Sequence, residues 1–218
     1  MKKTNDLKIY LTVLFVSCLL IANVVTAKQL QLPFGITMTG AIFIFPITYI
    51  LSDIFSEVYG YRWSRITCYL AFCMNLLMVG IFQLVISTPA PSYWINQEAF
   101  ATVLGSAPRV LVASSIGMLV GDFVNDRVFR RMKAVHQNAH KGFGARAITS
   151  SFAGEIADSA LFIPIAFLGT MPVSQMAVMG LTQATLKVLY EIVIFPATSV
   201  TCKKIKKAEG VEEFAEKN

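Results

Sequence analysis

Six apolar blocks divide the chain. They run Leu7 to Ala27, Ile36 to Tyr59, Ile66 to Ser87, Val110 to Arg130, Ala145 to Gly169 and Met176 to Cys202. A helix rising ~1.5 Å per residue needs about 20 mostly apolar residues to cover ~30 Å of hydrocarbon, and each block meets that length. The pattern therefore predicts an all-α membrane protein, a bundle of six transmembrane helices. Polar residues inside three blocks recur at helical spacing. Asp53 and Glu57 are four apart, and Pro46 and Tyr49 continue their stripe. Glu155 and Asp158 are three apart, with Ser151 and Phe162 on the same side, and Gln183, Lys187 and Glu191 repeat every four residues. Residues at these spacings share one helix face. Between the third and fourth blocks, the loop from Thr88 to Pro108 predicts a short interfacial helix within Tyr93 to Leu104, with Tyr93 and Trp94 at headgroup level.

Composition agrees with the pattern. Of 218 residues, 55% are hydrophobic and 15% charged, against ~25% charged in an average soluble domain. A soluble globule this small needs more charge on its surface, and a disordered chain needs less hydrophobicity. The net charge of +6 does not indicate a nucleic-acid partner, because the basic residues lie in short runs between apolar blocks. Those runs set an orientation. Lys2, Lys3 and Lys8, Arg62 and Arg65, the run from Arg127 to Arg146, and Lys203 to Lys217 bring sixteen basic residues to one side. The other side has Lys28 and Arg109. The asymmetry predicts both termini in the cytoplasm of a plasma-membrane protein, with residues 1–202 as the transmembrane domain and 203–218 as a charged cytoplasmic tail. No cleavable signal peptide is read at the N-terminus, where the first block is too long for one. Cys18, Cys68, Cys73 and Cys202 form no CxxC and read as small core residues.

Ionisable residues in a bilayer are costly and face the bundle interior or a water-filled cavity. By depth they form two groups. Near the midplane, Lys187, Glu155, Asp158 and Glu191, with Gln183 and Asn23 nearer the outer side, make a candidate binding site for a small, flat, polar ligand. The competing reading makes Lys187 the buried counter-ion of Glu191 or Asp158. In the inner third, Asp53, Glu57 and Asn125, with Asp122 between the groups, form either an inner gate or proton path, or interfacial pairs with Arg62, Arg65 and Arg127. Pro46, Pro164 and Pro196 are candidate kinks. Ala113, Gly117 and Gly121 form a small-residue stripe for close helix packing, within the subunit in preference to a homodimer seam. HExxH, G-x-S-x-G, P-loop and EF-hand patterns are absent, so the sequence does not read as an enzyme, and no cofactor or metal is expected. His136 and His140, four apart, read as solvated loop residues.

The stretches Phe45-Pro46-Ile47-Thr48-Tyr49-Ile50-Leu51-Ser52-Asp53-Ile54-Phe55-Ser56-Glu57-Val58-Tyr59-Gly60, Gly154-Glu155-Ile156-Ala157-Asp158-Ser159 with Phe162, and Gln183-Ala184-Thr185-Leu186-Lys187 with Pro196 resemble the queuosine precursor transporter family, also called the vitamin uptake transporter family. The resemblance spans Asn23 to Pro196. It implies import of 7-cyano- and 7-aminomethyl-7-deazaguanine. By resemblance, Asn23, Phe45, Asp53, Asp158, Lys187 and Pro196 fall on family motif positions, whereas Glu57, Asp122, Glu155 and Glu191 fall where members vary.

The chemistry of such a ligand suits the midplane group. A guanine-like edge offers adjacent N–H donors to a carboxylate and a carbonyl to an amide or ammonium. Asp158 or Glu155 would accept, Gln183, Asn23 or Lys187 would donate, and Phe45, Phe152 or Phe162 would stack. The expected partners are the bilayer, a small deazapurine and, left open, a second copy of the chain. A stand-alone secondary transporter is the first reading. The alternative is the substrate-binding subunit of an energy-coupling-factor importer. Ala22 and Ala27 on the first helix lack the A-x-x-x-A spacing typical of such subunits.

Overall fold

The computed structural model describes residues 4–33, 37–135 and 143–209. Its seven α-helices are α1 (Thr4–Val25), α2 (Phe45–Ile54), α3 (Gly60–Ser87), α4 (Gln97–Leu104), α5 (Ala107–Val135), α6 (Phe143–Phe167) and α7 (Val173–Glu209). An antiparallel hairpin of β1 (Gln29–Gln31) and β2 (Thr37–Thr39) pairs Leu30 with Met38. Helices satisfy their own backbone groups, which hydrocarbon demands. Four helical stretches are long and apolar enough to cross a membrane: Leu7–Val25, Phe45–Ser87, Gln97–Met132 and Val173–Lys207. The chain is therefore an all-α membrane protein. Its exposed surface is rich in large apolar side chains, among them Leu76, Leu77, Leu119, Leu181, Val193 and Phe195.

Contacts between helices set their directions. Trp63 donates to Thr12 and Asn23 donates to Asn75, so α1 and α3 run parallel. Phe55 meets Phe15 edge-on at 5.6 Å, while the backbone at Gly40 lies against Val25, so α2 runs opposite to α1. Lys187 lies over Phe45 and Lys206 bonds Glu57, so α7 runs with α2. Ser151 bonds Glu191 and Ile163 packs near Gly180, so α6 opposes α7. Arg109 bonds the carbonyls of Ile165 and Leu168 while Gly121 meets Gly154, so α5 opposes α6. Leaving aside α4, the long legs alternate in direction along the chain.

The block from Ile36 to Tyr59 is not one helix, as the pattern predicted. Its start forms β2 and a 3-10 turn at Gly40–Phe43. Pro46 lies in the first turn of α2, where its missing N–H costs nothing, and does not kink a helix interior. Gly40 N–H donates to the Lys28 carbonyl at 2.8 Å, and a Cβ there would strike the Val25 carbonyl. Glycine is therefore needed to fold the hairpin onto the end of α1. Below α2, a π-helical turn (Phe55–Tyr59) ends at Gly60 with φ of 79°, and α3 starts there. Pro164 and Pro196 do sit inside helices, in α6 and α7. The short helix within Tyr93–Leu104 is present as α4. Its Gln97 amide donates to the Ile86 carbonyl at 3.0 Å, and Tyr93 and Trp94 are exposed beside it. Helix α7 continues to Glu209, through the first residues of the charged segment that starts at Lys203.

The closest packing is between α5 and α6. A Cβ on Gly154 would meet the Gly121 carbonyl at 2.8 Å and Asn125 Cβ at 2.9 Å. One on Gly121 would meet Asp158 Cβ at 3.1 Å. The stripe of Ala113, Gly117 and Gly121 is thus used within the subunit. Toward one end of these helices, Val110, Ala113, Phe162, Ile163, Phe167, Met176 and Met179 form a dry apolar cluster. At the other end of α1 and α2, Phe15, Leu51, Phe55 and Ala71 form another. Cys18 and Cys202 are buried as expected, whereas Cys68 and Cys73 are exposed. A helix pressed against neighbours along one stripe leaves its other positions outward, and those two cysteines fall there on α3.

Candidate functional site

The site is built on the facing surfaces of α6 and α7. Lys187 is the only charged residue among the buried described residues, at 7% exposure. Its Nζ lies 2.6 Å from Asp158 Oδ2 and 2.8 Å from Glu155 Oε2. The i,i+3 spacing on α6 brings both carboxylates to one ammonium from a single helix face. Asp158 is also pressed against α5, where a Cβ on Gly117 would collide with its carboxylate. Two helices therefore hold this carboxylate in place. The sequence reading left Lys187 open between ligand partner and counter-ion. It is the counter-ion of Asp158 and Glu155, not of Glu191.

α2 closes the cluster from the opposite side. The Lys187 Nζ lies 5.3 Å from the centre of the Phe45 ring, within the range of cation–π attraction. One turn on, the Tyr49 hydroxyl donates to Glu155 Oε1 at 3.5 Å. The two rings stand 6.4 Å apart, tilted by 35°. Tyr49 is a residue that the sequence reading placed on the acidic stripe but did not name as part of the site. Its membership depends on a partner 106 residues away. Its place four residues before Asp53 on that stripe was the signal in the sequence.

Gln183 lies one turn from Lys187 on α7 and is 2% exposed, and its Oε1 has no hydrogen-bond partner among the described residues. Ser159, next to Asp158, is likewise 2% exposed with an unpartnered Oγ. Buried polar atoms without partners are uncommon and costly. An acceptor left in this state beside a charged cluster marks where a donor belongs. Glu191, one turn the other way, accepts from Ser151 at 3.4 Å and lies within electrostatic reach of Asp53 and Glu155.

The remaining expected residues fall elsewhere. Asn23 donates to Asn75 Oδ1 at 3.2 Å on the seam of α1 and α3, leaving its own Oδ1 buried and unpartnered. Phe162 belongs to the apolar cluster and meets Phe167 edge-on at 6.1 Å. Glu57 is paired, but with Lys206 of α7 and not with Arg62 or Arg65. Asp126 is paired with Arg130 one turn on. Asp122 and Asn125 line a cleft of about 390 Å³ with Asp126, Phe129, Ser150 and Ser151. Ser151 links this cleft to Glu191, and Asp122 lies within electrostatic reach of Asp158. Among the described residues no group of three or more His, Cys, Asp or Glu is placed to hold a metal. His136 and His140 lie outside the described residues.

Comparison with known proteins gives this arrangement a family. The model of the family described as "Putative vitamin uptake transporter" matches residues 39–201, a span that holds α2, α3, α5, α6 and most of α7 with every residue of the charged cluster. The chain is also 25% identical over 155 residues to the "Probable queuosine precursor transporter" of Bacillus subtilis (strain 168). That match covers 69% of this chain and 65% of the relative's length, so the chain spans about two thirds of that protein. No solved structure matches. With three quarters of its length matched, the chain belongs to the vitamin uptake transporter family.

Proposed function

We propose that this chain is a membrane transporter that imports 7-deazaguanine precursors of queuosine, working alone as a secondary transporter. It crosses the membrane six times with both termini in the cytoplasm. The observation that carries the reading is the buried ammonium of Lys187 between Asp158 and Glu155, with the unpartnered Gln183 Oε1 one turn away. A guanine-like edge offers adjacent N–H donors, and a carboxylate accepts two of them at once. Asp158 is the carboxylate best held for this, since α5 backs it. Gln183 Oε1 takes a further N–H, and the Gln183 amide nitrogen donates to the ring carbonyl. Phe45 and Tyr49 supply flat apolar area for the ring.

The cleft lined by Asp122, Asn125 and Ser151 is the path between this site and the cytoplasm. The dry cluster of Phe162, Phe167, Met176 and Met179 is the closed outer side. The alternating directions of the long legs and the sixteen-to-two split of basic residues support six crossings and the orientation. The small-residue stripe is consumed by α5–α6 packing, which supports a working unit that does not need that stripe for a partner.

The test is uptake of labelled 7-cyano- and 7-aminomethyl-7-deazaguanine into liposomes containing the purified chain alone, with and without a proton gradient. Accumulation of either compound is the expected result. Uptake that requires an added ATP-driven partner would move the chain to the energy-coupling-factor reading. No uptake of either compound with or without such a partner would remove the substrate assignment.

A further inference from the structure

The charged cluster carries a consequence for how the carrier handles its own charge. We infer that the Asp158–Glu155 pair is an ammonium-exchange site, filled by Lys187 when the carrier is empty and by donors of the ligand when it is loaded. The inference rests on the reading that a ligand binds at this cluster. Three observations lead to it. The Lys187 ammonium contacts both carboxylates, at 2.6 and 2.8 Å, so it sits where a ligand's N–H or cationic donors would sit. The acceptor one turn along α7, Gln183 Oε1, is buried and has no partner among the described residues, so Lys187 does not supply its donor. One turn inward on the same face of α7 stands Glu191, held only by a 3.4 Å bond from Ser151.

Lysine is a flexible stem with a compact charge. Its ammonium can swing along the α7 face from Asp158 toward Glu191 without any backbone movement, because residues four apart on a helix are neighbours. In the unloaded carrier the ammonium neutralises two half-buried carboxylates that would otherwise stand unpaired inside the bundle, a costly state in a low dielectric. In the loaded carrier the ligand takes over that task, and Lys187 moves to Glu191. An internal cation of this kind lets the empty carrier return across the membrane. It also favours a ligand with a cationic arm over one with a neutral arm, because only the former replaces the full charge.

The test uses the purified full chain in detergent and in liposomes, comparing wild type, Lys187→Ala and the double variant Glu155→Gln/Lys187→Gln. The double variant keeps the net charge of the wild-type trio while leaving Asp158 free, so it decides the question if the single variant does not fold. Probes are ethylammonium, 7-aminomethyl-7-deazaguanine and 7-cyano-7-deazaguanine, read by thermal stabilisation and by titration calorimetry. Ethylammonium at millimolar concentration should stabilise the Lys187 variants by several degrees and leave wild type unchanged. The substitutions should raise the affinity for the aminomethyl compound at least tenfold more than that for the cyano compound. In liposomes, net uptake by the variants should be lost while exchange of internal for external ligand persists.

Two results overturn the inference. One is a tenfold or greater loss of affinity for both deazaguanines in the variants, which would make Lys187 a direct ligand donor. The other is no response of either folded variant to ethylammonium. If wild type binds neither deazaguanine, the substrate reading fails, and the ethylammonium arm still decides whether the carboxylates accept an exchangeable ammonium.

Discussion

Asp158 of α6 is held from two sides: its carboxylate meets the Lys187 ammonium of α7 at 2.6 Å, and α5 backs it at Gly117. The pair joins the close packing of α5 on α6 to the one buried charge among the described residues. Packing and chemistry at this position are therefore not separable, and the first prediction follows from that.

Gly117→Ala places a methyl group against the Asp158 carboxylate. Overpacking of this kind costs about 1–3 kcal/mol. The stability loss should come with at least a tenfold loss of ligand affinity, because the carboxylate must move. Gly80→Ala on α3 meets nothing within 4 Å and should leave affinity unchanged, with stability equal or raised by about 0.5–1 kcal/mol from helix propensity. Thermal unfolding in detergent and ligand titration on the two variants check this contrast.

Glu57→Gln removes an exposed ion pair with Lys206. Surface pairs contribute about 0–1 kcal/mol. Stability should change by less than about 1 kcal/mol, and ligand affinity should not change. A large loss of affinity in equilibrium binding would move Glu57 into the ligand site.

Arg109 donates to the carbonyls of Ile165 at 2.5 Å and Leu168 at 2.7 Å. Ile165 lies in the last turn of α6 and Leu168 just beyond its end, where carbonyls run out of helical partners and a cation also favours the helix dipole. Arg109→Ala should lower stability by about 1 kcal/mol, the typical net value of a hydrogen bond with exposed charge discounted. Ligand affinity should remain within twofold of wild type. The readouts are the Tm in detergent and a binding titration.

Asn23 and Asn75 join α1 to α3 through one hydrogen bond, Asn23 Nδ2 donating to Asn75 Oδ1 at 3.2 Å. A double-mutant cycle with Asn23→Ala and Asn75→Ala should give a coupling near the ~0.6 kcal/mol average for such bonds within membranes. A coupling near zero, with ligand binding lost in Asn23→Ala alone, would assign Asn23 to the ligand and not to the seam.

Much of the site was legible because its two main elements are regular. Glu155 and Asp158 had to share a face of α6, and Gln183, Lys187 and Glu191 a face of α7, by helical geometry alone. Which stripe meets which is a tertiary fact. Lys187 pairs with Asp158 and Glu155, while Glu191 finds Ser151. Glu57 illustrates the same limit. Arg62 and Arg65 are near it in sequence, but Gly60 at φ of 79° turns the chain between them, and Lys206, 149 residues away, takes the place. The hairpin before α2 was hidden because an apolar run reads alike as strand, 3-10 turn or helix. What folds it is a backbone bond at Gly40 that no side-chain pattern records. Tyr49 was visible on the right stripe, but its role depends on a partner from α6.

The central claim is that Asp158, held by Lys187 and α5, reads a deazaguanine. Calorimetric titration of 7-cyano-7-deazaguanine into the purified wild type and Asp158→Asn tests it most directly, with thermal unfolding on the same samples as the check of folding. The account predicts saturable binding to wild type and at least tenfold weaker binding to a folded Asp158→Asn. Equal binding to both proteins, or no binding to folded wild type, would contradict it.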